Sequence, residues 1–281
     1  MSCEELTTYS NVWIDDVLLQ EEFEADVLLN SEEPALPALR NLSVTVPGRH
    51  GAYDFGAYFE PREFTLNIVF MRQDYADLKR DIRKLNRLLV DEYARPRTIK
   101  LRFGDEVDKY YNVRVTQAIP VERAAERGFI TIGLTAFDPY AYAGANEYDP
   151  EEEYLYNRGY MYDTGLMYDN PKYFRWEYER HYSGINNYSD FATDFIIEIV
   201  GSVKNPSVTN LNNGIKLTLP DISNGKMVIS SKDYTIEKDG ESTLLGSNGE
   251  FFGIQSGEVG FLFEGENPNA TVTYRWLHKF I

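Results

Sequence analysis

The sequence predicts a mainly β protein, all-β or α+β in class, with one principal helix. Three observations lead there. Apolar and polar residues alternate with a period of two along several short runs. Four Asn-Gly or Asp-Gly dipeptides, the chemistry of tight hairpins, punctuate the second half. Only one stretch, 74–91, repeats its apolar residues at helical spacing.

Taken in order, residues 11–30 read as short strands with a turn at Asp15-Asp16, and Ser31 to Pro37 as a loop with two prolines. Asn41 to Val46 alternates, and Pro47-Gly48-Arg49-His50-Gly51 breaks that strand. Proline fixes one φ, and Gly48 and Gly51 supply backbone conformations closed to other residues. Phe64, Leu66, Ile68 and Phe70 then mark a strand with one buried face. The helix follows, with Tyr75, Leu78, Ile82, Leu85 and Leu89 on one stripe and Lys79, Arg80, Arg83, Lys84 and Arg87 on the other face. Gln73 and Asp74 open it and Pro96 stops it. Thr98 to Phe103, a Gly104-Asp105 turn and Tyr110 to Thr116 read as a hairpin. Phe129 to Phe137 alternates again, with Ile130, Ile132 and Leu134 on one face.

Residues 140–190 differ in character: they hold 12 of the 21 tyrosines, mixed with acids and glycines, and predict no regular element. From Asp194 onward the pattern is all β. Phe195 to Val200, Val259 to Phe263 and Thr271 to Trp276 are strands. Asn213-Gly214, Asn224-Gly225, Asp239-Gly240 and Asn248-Gly249 are hairpin turns between them. Short strands at even spacing predict a β-sandwich.

The chain carries a formal charge of -17. Up to Tyr140 there are 17 Lys and Arg against 24 Asp and Glu, and 11 against 21 thereafter, so both halves are acidic. That excludes nonspecific adhesion to DNA or anionic lipid as the expected role. The lone Cys3 permits no internal disulfide and fits folding in a reducing cytosol. The opening Met-Ser-Cys-Glu-Glu-Leu shows no signal peptide, and no run approaches a membrane span.

Chemistry is sparse. His50, His181 and His278 stand apart, without metal-ligand spacing, and read as isolated surface or loop residues. There is no nucleophile elbow, P-loop or dinucleotide fingerprint, so no catalytic, cofactor or metal residue is assigned and no cofactor is expected. Glu177 and Glu179 beside Trp176 and Tyr178 form the most lectin-like or glycosidase-like cluster. The basic helix face reads as solvated or salt-bridged, because Asp77, Asp81 and Asp91 share the helix.

The block from Asn41 to Gly56, with Val46-Pro47-Gly48-Arg49-His50-Gly51 leading to Tyr53, Phe55 and Gly56, resembles the siphophage distal tail family. There a strand runs into such a turn, then come an alternating strand, an amphipathic helix with a hairpin, and an exit like Phe137-Asp-Pro-Tyr-Ala-Tyr142 here. The second half resembles the family's galectin-like sandwich through Phe195 to Gly201, Asn205 to Asn210, Asp233 to Gly240 and Ala270 to Trp276.

The resemblance implies two domains. An N-terminal β-sandwich, 1–140, would carry the helix and hairpin and form a ring. A galectin-like sandwich, 141–281, would begin with the Tyr-rich segment 141–190. It implies a structural protein of the virion tail tip and no enzyme, assembled in the host cytoplasm as a hexameric ring. That ring would join the tail tube protein to tail-tip, tail-associated and receptor-binding proteins, without stable nucleic-acid binding or membrane insertion. Pro47, Gly48, Arg49, Gly51, Tyr53 and Phe55 are the candidate ring-interface residues. The rival readings are a carbohydrate-binding adhesin module, which would use an exposed Trp176 or Trp276, and an enzyme acting on cell-wall glycan.

Overall fold

The computed structural model describes residues 11–71, 74–124, 127–143 and 173–281. The chain is mainly strand and divides into two compact units, Met1–Ala141 with Ile281, and Tyr142–Phe280. Cys3 and the central part of the Tyr-rich segment, 144–172, lie outside the described residues.

In the first unit an antiparallel path runs Val17–Leu18, Val12–Ile14, Ile99–Phe103, Lys109–Val115, Arg127–Ala136, Arg62–Phe70 and Ala25–Val27. Lys109–Val115 joins its two halves. Tyr111, Asn112 and Val113 pair with Ile99–Phe103, whereas Arg114 and Val115 pair with Arg127–Ala136. Phe64 of one half therefore meets Phe103 and Tyr111 of the other, with ring centroids 6.0 and 4.8 Å apart. Phe64, Leu66, Ile68 and Phe70 are buried as the alternation predicts, facing Leu134, Ile132, Ile130 and Gly128 across the ladder.

The predicted helix spans Tyr75–Leu89. Asp74 caps it: its Oδ1 accepts the Ala76 N–H at 3.0 Å, satisfying one orphan donor of the first turn. Leu78, Leu85 and Leu89 are buried, while Tyr75, expected on the same stripe, is exposed in the first turn. A Cβ on Gly128 would come within 2.5 Å of Leu78, so glycine there lets the helix lie close on the Arg127–Ala136 strand. The basic face is exposed; Arg80 pairs with Asp77 at 2.8 Å, and Lys84 pairs with Glu22.

A second helix, Leu19–Phe23, replaces part of the strand expected over 11–30. Five residues hold too few turns to display a period, although Leu19 and Phe23, four apart, are both buried. Phe23 packs edge-on against Phe70 at 6.3 Å.

The second unit rests on two long strands, Phe195–Asn210 and Gly257–Trp276, each longer than the segments legible in the sequence. The halves of these strands pair differently. Residues 269–276 sit between Tyr173–Trp176 and 195–202, and the path continues through Ile222–Ser230, Thr235–Lys238 and Glu241–Ser242. Residues 257–264 sit between Arg180–Asn187 and 207–210, with Lys216–Thr218 beyond. Register shifts at Ser202, Lys204 and Ser207 bend the pair, so the two halves face one another over one core. Gly265 lies at this bend, where a Cβ would meet Val203 at 2.5 Å and Trp176 at 3.1 Å.

Two of the expected hairpin dipeptides are used otherwise. Asn224-Gly225 lies inside the strand Ile222–Ser230, with Asn224 at φ 44° beside the register shift of Phe195–Asn210. Asn248 stands in for a strand neighbour: its side chain accepts from Thr218 N and donates to Lys216 O, at 3.1 and 2.7 Å. Asp239-Gly240, both at positive φ, does turn between Thr235–Lys238 and Glu241–Ser242.

Candidate assembly interface

The turn singled out in the sequence sits at the tip of a two-stranded sheet, Leu39–Val44 with Tyr53–Phe59. Among the described residues this pair joins no other strand. Val46 O accepts the Arg49 N–H at 3.1 Å with Gly48 at φ 82°, so Val46 to Arg49 forms a type II turn. Pro47 supplies its first central residue and Gly48 the second, which is why that dipeptide is there. Gly51, at φ 81°, carries the chain back toward the returning strand. The Arg49 guanidinium lies 3.9 Å over the Tyr53 ring and fixes the tip against its own strand.

The base is tied down. Glu60 N donates to Ala38 O at 2.7 Å, Arg40 pairs with Glu60 at 3.4 Å, and Phe59 meets Tyr140 edge-on at 6.3 Å. Between tip and base every residue of both strands is exposed except the half-buried Phe59. The exposed set includes Leu42 at 39%, Val44 at 52%, Tyr53 at 48%, Phe55 at 64% and Tyr58 at 58%. Scattered apolar residues on a surface mean little, but a contiguous apolar stretch marks an interaction site. Pro47, Gly48, Arg49, Gly51, Tyr53 and Phe55 thus fall on one exposed feature. Leu42, Val44 and Tyr58 belong with them. In the sequence, 41–46 reads as an alternating strand ended by Pro47, and alternation alone does not say what covers its apolar residues.

The lectin and glycosidase candidates are arranged differently from what those roles need. Trp176 is fully buried and donates from Nε1 to Tyr178 O at 2.9 Å, and Trp276 is buried too. Neither offers a platform for a sugar. Glu177 pairs with Arg175 at 2.8 Å. Among the described residues, no group of three or more His, Cys, Asp or Glu could hold a metal ion, and no helix is long and apolar enough to cross a membrane. Of the histidines, His50 is exposed, but the other two depart from the surface reading. His278 is buried, with Nδ1 3.2 Å from Tyr188 N, and His181 stacks on Phe174 at 4.3 Å, where burial lowers its pKa.

Comparison with known proteins points to phage tails. Residues 22–136, which hold the hairpin and the long helix, match the family described as phage tail protein RIFT-related domain. No curated protein matches the chain. Over nearly its whole length the chain shares the fold of the Dit protein of phage SPP1, described as a paradigm of the hub adsorption apparatus in phages infecting Gram-positive bacteria. The TM-score is 0.65 at 14% identity, covering 96% of this chain and 99% of that one. A chain of the phage p2 baseplate in its activated conformation with Sr aligns at TM-score 0.48 and 11% identity, covering 98% and 100%. The likeness to siphophage distal tail proteins read from the sequence is borne out.

Proposed function

We propose that this protein is a distal tail hub of a long-tailed bacteriophage. Six copies form a ring that joins the tail tube to the tip proteins of the adsorption apparatus. The observation that carries the reading is the exposed apolar hairpin within the segment that matches the phage tail family. The shared fold with a hub protein over both chain lengths supports it. In this reading the N-terminal unit builds the ring through the hairpin. The C-terminal unit is a galectin-like sandwich set around the outside, where it meets tail-tip and receptor-binding proteins. The role is structural and needs no cofactor: its mechanism is the repetition of one interface by cyclic symmetry. The protein folds in the host cytoplasm and ends at the virion tail tip. Burial of Trp176 and Trp276 removes the side chains on which the adhesin reading depended. Native mass measurement of the purified chain with negative-stain images tests the proposal. Six-fold rings are the expected result. A monomer at all concentrations, with no binding to tail-tube or tip proteins, would overturn it.

A further inference from the structure

In the C-terminal unit, the strand Arg180–Asn187 presents an outer face with an unusual surface. Within it His181 and Ile185 turn inward, the first onto Phe174 and the second into the core. Arg180, Tyr182, Gly184 and Asn186 therefore point outward. Across the ladder they stand opposite Glu264, Leu262, Gly260 and Glu258, and residues paired in this way share a face. Tyr182 is the exposed ring of the face, at 63%. Beside it Gly184 and Gly260 are partners, so two adjacent strands are bare of side chains at one level. Neither glycine has a positive φ, so backbone conformation does not demand glycine at either place. Leu211 bounds the strip on the far side: a Cβ on Gly260 would lie 3.3 Å from its Cδ1.

One end of this strip is a fixed polar cluster. Glu264 meets Arg180 Nε at 3.3 Å with one oxygen and Lys216 Nζ at 2.8 Å with the other. The Lys216 hydrogen bond, joined by the charges of Lys216 and Arg180, lowers the Glu264 pKa and keeps it a carboxylate. Arg180 Nη2 also donates to the Tyr182 hydroxyl at 3.4 Å, which ties the ring to the cluster. The other end carries Asn186 and Glu258. Across the face two cations, Arg180 and Lys216, balance two carboxylates, Glu258 and Glu264, although the whole chain is at -17.

We propose that this face binds a neutral glycan: one sugar lies with its C–H face on the Tyr182 ring, the Gly184–Gly260 strip seats the next, and Glu264 and Arg180 hydrogen-bond the hydroxyls at the ring edge. A sugar hydroxyl both donates and accepts, and a carboxylate beside a guanidinium offers an acceptor and donors side by side. A tyrosine ring offers rigid apolar contact at little entropic cost. From Tyr182 to Asn186 the strand runs about 13 Å, at roughly 3.3 Å per residue, which leaves room for more than one sugar ring. A protein partner suits the face less well. Its exposed large apolar side chains are Tyr182 and Leu211, one on each side of the glycine strip, and they form no contiguous patch. An anionic polymer would meet Glu258 and Glu264 in an acidic chain. The site uses neither of the buried tryptophans, and it adds a ligand to the hub role without depending on it.

The test uses the full chain on a panel of immobilised oligosaccharides: neutral oligomers of glucose, galactose and N-acetylglucosamine, with phosphate-bearing glycans beside them. Binding to a neutral member is expected. Tyr182→Ala should weaken it about tenfold or more, the loss of a central aromatic contact. Tyr182→Phe keeps the ring and should retain most of the binding. Gly184→Thr puts a β-branched side chain, which suits a strand, onto the strip and should weaken binding as well. Tyr234→Ala removes a tyrosine that is equally exposed, at 64%, outside this face and should change nothing. Both tyrosines are exposed, so thermal unfolding of their alanine variants should match wild type. Absence of binding to every neutral glycan, or unchanged binding in Tyr182→Ala, overturns the proposal. Selective binding of the phosphate-bearing glycans does so too, as does a Tyr182→Ala variant that loses a tail-tip protein while no glycan binds. Ring formation, read by native mass, is untouched by any of these results, so the hub reading stands or falls separately.

Discussion

Phe261 and Tyr274 stack with ring centroids 5.4 Å apart, although both belong to the single strand Gly257–Trp276. Thirteen residues of straight strand would separate them by about 43 Å, at roughly 3.3 Å per residue. The strand instead folds across the core, so one stretch of chain supplies both facing layers of the C-terminal unit. Phe263 closes on the same ring at 6.2 Å, and Trp176 meets Phe263 at 5.3 Å. Phe261→Ala should therefore loosen both layers at once and cost about 3–5 kcal/mol, the usual range for a buried aromatic. A denaturant titration of the whole chain checks this. A loss below about 1 kcal/mol would mean that the two layers do not depend on that ring.

Leu85 and Arg83 lie on opposite sides of the long helix, the first buried and the second exposed. Leu85→Ala should cost about 2–5 kcal/mol through lost burial and a cavity. Arg83→Ala should cost well under 1 kcal/mol, because an exposed arginine is stabilised mostly by water. Equal losses at the two sites would contradict the orientation of the helix.

Much of this architecture is legible in the sequence, and the failures have physical causes. A strand half-buried against a core shows its period directly, as Phe64, Leu66 and Ile68 do, and the helix shows its own through Leu78, Leu85 and Leu89. Alternation states that one face is apolar, but not what covers it. The strand Leu39–Val44 therefore reads like a core strand although every residue in it is exposed. A bulge is invisible to a fixed period: the three-residue step from Phe55 to Tyr58 looks like lost pattern until pairing shows two residues opposite one. Asn-Gly reports positive φ, which suits a hairpin turn and a bent strand alike, so Asn224-Gly225 is misread. The turn Val46 to Arg49 is legible because proline and glycine there can do little else.

Arg62 is buried and donates from Nη1 to the Tyr111 hydroxyl at 2.7 Å and from Nη2 to Ala35 O at 3.3 Å. Its Nε finds no partner among the described residues. Burial raises the pKa of Tyr111, with the neighbouring Arg62 charge opposing the rise in part. Removing the hydroxyl leaves a buried guanidinium short of an acceptor. Tyr111→Phe should therefore cost about 1–3 kcal/mol although it removes a single atom. In a double-mutant cycle with Arg62→Met the loss should shrink, because the stranded donor is then gone. Additive losses would show that the hydrogen bond contributes nothing beyond packing.

His181 lies against Phe174 with the ring planes 11° apart, and burial lowers its pKa below the ordinary 6.5. The unfolded chain then takes up a proton more readily than the folded one. The imidazole's contribution to stability is complete above pH 6.5 and is lost as the pH falls through the lowered value of the folded state. His181→Phe keeps a ring on Phe174 and removes the titration. As the pH falls below 6.5, the wild-type midpoint of thermal unfolding should fall more steeply than that of the variant. Parallel curves would show that His181 titrates alike in both states.

The proposed tail-tip ring would surround a path that DNA crosses without sticking, and each phosphate contacted by Lys or Arg adds affinity through counterion release. The chain's charge of -17 is repeated in every copy, so an acidic lumen is the expected arrangement. The long helix carries the densest basic face, and part of that face is already engaged: Arg80 with Asp77, Lys84 with Glu22, and Lys79 over the Tyr75 ring at 4.5 Å. Lys79, Arg83 and Arg87 are predicted to face protein neighbours in the ring, not the lumen. The assembled protein should then fail to retain duplex DNA in a mobility-shift assay at about 50 mM salt, a condition that favours electrostatic binding. Neutralising the three side chains should weaken assembly and leave DNA mobility unchanged. DNA held by the wild-type ring and released by the neutralised variant would instead put this helix on the DNA path, and the acidic-lumen arrangement would have to be abandoned.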